Sequence, residues 1–165
     1  MLLRASSSLF FLWALLSFEA TLADTNVTVD DSDSSIKYSD DWSVTSASNS
    51  LDYGGFHHLS STKTSTANFT FTGTAVYIMA PLWPYAVGAN AAVDNSSPVS
   101  VNMENPSVTS TDGGSEDVAS AVLWGATGLS NSSHTLHISF WDNADFLALD
   151  AIVYVYSAFK CMWQR

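Results

Sequence analysis

Residues 67–79 read Ala67-Asn68-Phe69-Thr70-Phe71-Thr72-Gly73-Thr74-Ala75-Val76-Tyr77-Ile78-Met79. Phe69 and Phe71 alternate with threonines up to Gly73, the period of a half-buried strand, whose side chains point to opposite faces in turn. Val76 to Met79 is instead apolar on both sides, as suits a central strand covered on both faces. The same two patterns recur outward from here. Ala89, Ala91 and Val93 alternate, the polar turn Asp94 to Ser97 follows, and Val99, Val101 and Met103 alternate again, which predicts a hairpin over 88–103. Leu136, Ile138 and Phe140 alternate with His137 and Ser139, Val118 to Trp124 is a further strand candidate, and Phe146 to Tyr156 is a second continuous apolar run. No segment keeps a 3.6-residue apolar period. Many short strands parted by Gly, Asn, Ser and Asp turns predict an all-β fold, an antiparallel β-sandwich of the jelly-roll kind.

The first residues carry a different signal. Arg4 precedes the apolar run Leu9 to Phe18, and Thr21-Leu22-Ala23 offers small residues at a cleavage position, so 1–23 is expected to be a secretory signal peptide. The run is too short for a convincing spanning helix. Asn26, Asn68, Asn95 and Asn131 each open an Asn-x-Ser/Thr sequon, whereas Asn105 is blocked by Pro106. These features together predict a secreted glycoprotein with one domain over 24–156 and a short tail over 157–165. The single cysteine, Cys161, rules out an intrachain disulfide, so the domain has to be held by packing. Nothing after Tyr156 reads as a membrane span.

The whole chain has 16 acidic and 5 basic residues, a net charge of −11, and only Lys37 and Lys63 are basic between positions 24 and 156. Nucleic-acid binding needs lysine and arginine to neutralise phosphates, and anionic lipid surfaces make the same demand. Both partner classes are therefore disfavoured, while neutral glycans and divalent cations stay open.

Catalytic signatures of the G-x-S-x-G, H-E-x-x-H or phosphate-loop type are missing. His57 and His58 would face opposite sides of an extended segment, as would His134 and His137, so a structural role is expected for all four. The run Asp30-Asp31-Ser32-Asp33 offers adjacent loop carboxylates. If the first and last strands lie side by side, Asp150, embedded in Leu147 to Ile152, comes near it. Asp30, Asp31 and Asp150 are thus candidate ligands of a structural calcium ion, which takes six to eight oxygens; hydrogen bonds from backbone N–H groups or a lysine would serve Asp150 equally well. Pro81-Leu82-Trp83-Pro84-Tyr85 carries two prolines and is expected to be a stiff loop. Its rings, Trp83 and Tyr85, are candidate glycan-stacking residues, the competing reading being that they plug one end of the sandwich.

VDDSDSSIKYSDDWS, YGGFHHLSST, ANFTFTGTAVYIMAPLWPY and FLALDAIVYVY together resemble the extracellular domain of a family of fungal cell-surface proteins over roughly 26–156. The resemblance implies a galactose-binding-like jelly roll and, by analogy of fold, glycan binding without catalysis. The expected function is a secreted non-catalytic domain binding neutral glycans at or near the cell wall. The alternatives are a structural or interaction domain of the cell surface with no small ligand, and a secreted carboxylate-based hydrolase. Protein recovered from a eukaryotic secretory host should begin near Asp24 and lose mass on enzymatic deglycosylation; an N-terminal sequence that still includes Arg4 counts against the leader.

Overall fold

The computed structural model describes residues 20–46, 48–108 and 113–161. Ten strands follow in chain order: β1 (Ala20–Asp30), β2 (Ile36–Tyr38), β3 (Ser43–Val44), β4 (His58–Ser60), β5 (Thr66–Leu82), β6 (Gly88–Val93), β7 (Val99–Asn102), β8 (Val118–Phe140), β9 (Leu147–Leu149) and β10 (Ala151–Cys161). The described residues contain no helix. One sheet runs β1-β10-β5-β8-β6-β7, with β2 also paired to β5, and a small second sheet runs β3-β4-β9. Every strand pair is antiparallel. The chain is an all-β antiparallel sandwich of the jelly-roll kind.

β5 is the spine. It pairs with β8 along its length and on its other edge with β2 at 67–69 and β10 at 75–79. Its buried apolar set is Ala67, Phe69 and Phe71 before Gly73, and Ala75, Val76, Ile78 and Ala80 after it, adjacent Ala75 and Val76 both being covered. The register with β8 shifts at the same place: from Gly73 to Ala75 β5 advances two residues while β8 runs from Ser132 to Thr127, so the extra residues of the irregularity lie on β8. Glycine is required there: a Cβ on residue 73 would lie 2.2 Å from the Val155 carbonyl oxygen. The hairpin predicted over 88–103 forms as β6 and β7, and Asp94 in its turn takes a left-handed φ of 54°, which Asp tolerates better than most residues. The Asp94 carboxylate accepts the Thr135 N–H at 2.9 Å and pairs with His134 Nδ1 at 2.7 Å, tying the turn to β8.

The core lies between the large sheet and the small one, where Val76, Ile78, Leu136, Ile138, Leu147, Leu149 and Ile152 are almost wholly buried. Three boundaries differ from expectation. The strand opened by Val118 runs on to Phe140 as a single 23-residue β8, because β5 supplies partners along nearly all of it. β10 continues to Cys161, so residues 157–161 belong to the last strand and not to a tail. β1 begins at Ala20, inside the segment read as a leader, and residues 20–24 pair with 157–161. A cut before Asp24 would remove the first four of these pairs; the rest of the leader, 1–19, lies outside the described residues.

The reading of Trp83 as an exposed loop ring is corrected. Its side chain is 1% exposed and joins the core. Pro81 is accommodated near the end of β5 at the Ala80/Leu82 register shift, a position where a missing N–H costs little. The Trp83 N–H then donates to the Met103 carbonyl at 2.9 Å, and the Trp83 carbonyl accepts the Asn105 N–H at 2.7 Å. The segment is held as closely as a strand. Trp83→Ala should therefore lower stability by about 3–5 kcal/mol, read as the shift in urea midpoint; an unchanged midpoint would return the ring to the surface.

Candidate functional site

The antiparallel pairing of β1 with β10 brings Asp30, Asp31 and Asp150 to one end of the sandwich, and the Asp31 N–H donates to the Asp150 carbonyl at 3.0 Å. Their carboxylates nevertheless have separate partners. Asp30 Oδ1 accepts the Ser32 N–H and hydroxyl, while its Oδ2 lies against Gly54, whose φ is +74°. Asp31, 2% exposed, pairs through Oδ2 with His58 Nδ1 at 2.5 Å. The His58 ring stacks on Tyr38 at 4.3 Å between centroids, and the Tyr38 hydroxyl donates to the Asp31 carbonyl. Burial raises the Asp31 carboxyl, against the opposing pull of His58. Asp150 is fully buried, and both its oxygens accept the Tyr53 N–H, at 3.1 and 2.9 Å. Burial pushes its pKa up to about 7, and Asp52 and Asp31 add to the rise, while the Ser120 hydroxyl and the Tyr53 N–H oppose it. The Ser120 hydroxyl lies near this carboxylate yet its oxygen makes no hydrogen bond, so the Tyr53 amide is the contact that holds the group.

Among the described residues one trio of ligand-type side chains has its donor atoms within 4.8 Å of one another, and it consists of Asp52, His57 and Glu116. The three aspartates above do not meet that spacing. The loop between β3 and β4 supplies Asp52 and His57. It is cross-tied by hydrogen bonds from Thr45 N–H to the His57 carbonyl, from Asn49 N–H to the Gly55 carbonyl and from His57 N–H to Thr45 Oγ1. The polar loop before β8 supplies Glu116. His57 Nδ1 stands 3.1 Å from Asp52 Oδ1, with the two side chains 4% and 1% exposed. Asn49 Nδ2 donates to Glu116 Oε1, and the Trp83 ring meets His57 edge-on at 5.1 Å. Asp52 Oδ2 is buried without a hydrogen-bond partner. Burial raises the Asp52 carboxyl, His57 opposes that, and Glu116 adds to it. Beside the trio is a polar depression of about 400 Å³ walled by Thr45, Ser48, Asn49, Ser115 and Glu116.

Nothing in a single sequence links Glu116 to a loop some sixty residues earlier, and Asp52 and His57 fit no metal-binding motif, so this trio was not legible before the fold. The four histidines were expected to be structural. His57, His58 and His134 each pair with an aspartate, and His137 Nδ1 meets Asn68 Oδ1 at 2.6 Å.

A second opening, of about 640 Å³, crosses β1, β10, β5 and β8. Val27, Phe71, Tyr154 and Tyr156 give it apolar and aromatic surface, and Thr70, Thr72, Asn131 and Ser157 bring polar groups. Tyr154 is braced by Phe69 and Phe71, each 5.8 Å away between centroids, whereas Tyr156 is 36% exposed. The Asn131 amide donates to the Ser157 carbonyl at 2.9 Å. Tyr85 contributes to neither opening: it is half-buried edge-on to Phe146, its hydroxyl donating to the Gly114 carbonyl at 3.1 Å. Trp83 and Tyr85 therefore form no shared platform. Of the sequon asparagines, Asn26, Asn95 and Asn131 are exposed and Asn68 is half-buried.

No protein-family model and no curated protein matches the chain. Solved structures with a similar fold include the exo-β-1,3-galactanase from Phanerochaete chrysosporium with β-1,3-galactotriose, at a TM-score of 0.55 and 15% identity over 80% of this chain. A xanthan lyase from Paenibacillus aligns at 0.54 and 19% over 80% of the chain, and the GH26-CBM35 β-(1,4)-mannanase from Podospora anserina at 0.51 and 14% over 84%. This chain spans 29%, 13% and 28% of those proteins respectively. At these identities what is shared is the fold.

The sign of the Asp150 effect can be tested. An unfolded aspartate ionises near pH 3.9, so between about pH 4 and about 7 the unfolded chain loses the proton first, and stability falls as pH rises. Asp150→Asn should reduce that slope in urea midpoints measured across the window, leaving the share that the raised Asp31 and Asp52 carboxyls contribute. A wild-type protein that instead gains stability over Asp150→Asn with rising pH has the carboxylate held charged, as a bound cation would hold it.

Proposed function

We propose that this domain is an exported, non-catalytic module that binds neutral glycans along the groove of Tyr154 and Tyr156, at or near a cell wall. The observation that carries the reading is the composition of that groove. Sugar recognition combines an aromatic face, on which apolar C–H groups stack, with hydrogen-bonding groups that read hydroxyls, and this opening offers both. A strand-borne ring braced by Phe69 and Phe71 also loses little side-chain freedom on binding. The net charge of −11 disfavours anionic polysaccharides. Support comes from the company the fold keeps, since the similar structures bear names of carbohydrate-acting proteins, one with β-1,3-galactotriose bound and one with a CBM35 module in its name.

A non-catalytic role is favoured by the burial of the grouped carboxylates: Asp31, Asp52 and Asp150 are each buried, whereas glycosidases hold their pair across an open cleft. A protein-interaction role has one specific observation in its favour: Val118 and Val122 on β8 are 38% and 53% exposed.

Retention on neutral fungal and plant polysaccharides, measured by affinity electrophoresis of deglycosylated protein, tests the reading; glycan removal matters because Asn131 stands at the groove. Tyr156→Ala should weaken retention roughly five- to tenfold, the loss of on the order of 1 kcal/mol of stacking, with an unchanged melting midpoint. Retention that survives both Tyr156→Ala and Tyr154→Ala removes the groove as the site, and a wild-type protein that binds none of the polysaccharides favours the interaction role.

A further inference from the structure

We propose that Asp52, His57 and Glu116 form a binding site for one divalent transition-metal cation of the zinc type, separate from the aromatic groove. Three observations converge. The first is spacing. Ligands 2.0–2.2 Å from a tetrahedral ion stand roughly 3.4 Å from one another, and His57 Nδ1 and Asp52 Oδ1 are 3.1 Å apart, with Glu116 closing the trio inside 4.8 Å. A small inward movement of the Glu116 carboxylate completes a three-ligand set.

The second is an unmet demand. Asp52 Oδ2 is buried and has no donor, and a buried carboxylate oxygen left unpaired is costly. Asp52 also sits beside a second carboxylate, and neither lysine among the described residues offsets the two. Lys37 Nζ donates to the Ser34 carbonyl, and Lys63 Nζ to the Ala144 carbonyl while lying 4.1 Å over the Phe140 ring. A cation bound by both oxygens of Asp52 would satisfy the orphaned Oδ2 and separate the like charges in one step.

The third is the donor set and its support. One imidazole nitrogen with two carboxylates suits zinc, manganese or cobalt, whereas calcium asks for six or more oxygens. The ligands are already oriented by a surrounding shell, as metal ligands require: Asn49 Nδ2 holds Glu116 Oε1, the Trp83 edge packs against the imidazole, and Thr45 fixes the His57 backbone. The polar depression walled by Asn49 and Glu116 gives an entry path and leaves room for water on the remaining coordination positions.

The test uses the mature, secreted protein, stripped with a chelator and titrated at pH 7.5 with zinc, manganese, cobalt and calcium chlorides in turn. Zinc should bind at one ion per chain by calorimetry and raise the melting midpoint, since an ion held only by the folded state stabilises it by mass action. Cobalt should give a visible d–d spectrum. Glu116→Gln, at the wall of the depression, should weaken zinc binding at least tenfold. His57→Gln should abolish the cobalt spectrum, and His137→Gln, an exposed histidine elsewhere, should change neither. Should His57→Gln fail to fold, Glu116→Gln alone decides. The proposal falls if no stoichiometric zinc or cobalt binding is seen, or if binding persists unweakened in Glu116→Gln. It also falls if calcium alone stabilises the protein and Asp150→Asn abolishes that effect, which would place the ion among Asp30, Asp31 and Asp150.

Discussion

The register shift at Gly73 is the constraint on which the sandwich depends. β5 is bordered by β8 along one edge and by β2 and β10 in succession along the other, so it must bury apolar side chains over most of its length. Strict alternation across the whole strand would send either Phe69 and Phe71 or Val76 and Ile78 to solvent. Gly73, where a Cβ would strike the Val155 carbonyl, stands at the change-over between the two sets, and opposite it β8 carries the extra residues of the register shift. The aromatic groove follows from the same geometry, because Phe71 stays on the inner face beside Tyr154 where β10 passes.

Charge is the second organising constraint. The chain has 16 acids and 5 bases, and among the described residues no buried carboxylate pairs with lysine or arginine. It uses histidine and the backbone instead. His58 meets Asp31, His57 meets Asp52, and the Tyr53 N–H caps Asp150. At Asp31, Asp52 and Asp150 burial outweighs these hydrogen bonds and raises all three carboxyls. At Asp94, in an exposed turn, the hydrogen bond to His134 dominates and the carboxyl is lowered. One end of the fold thus concentrates desolvated carboxylates held by neutral donors and imidazoles, an arrangement open to a proton or to a metal ion.

Local pattern carried the fold class, because the alternation that marks a half-buried strand is written in neighbouring residues: Phe69 and Phe71, the hairpin around Asp94, and Leu136 to Phe140 all lie where their period placed them. The adjacency of the first and last strands was also within reach, and with it the neighbourhood of Asp30, Asp31 and Asp150. Orientation was not. Whether a carboxylate turns toward its neighbour or toward an amide such as Tyr53 N–H depends on a loop from elsewhere in the chain, and the burial of Trp83 depends on Met103 and Asn105 reaching back to its backbone. The meeting of Asp52 and His57 with Glu116, and of Tyr154 with Phe71 in one groove, is decided by strand order alone. The sequence by itself determined what each segment buries, since that is set by side chains two residues apart. Which chemical groups share a site was settled only by tertiary structure, because those groups come from strands and loops whose contacts leave no mark on local period.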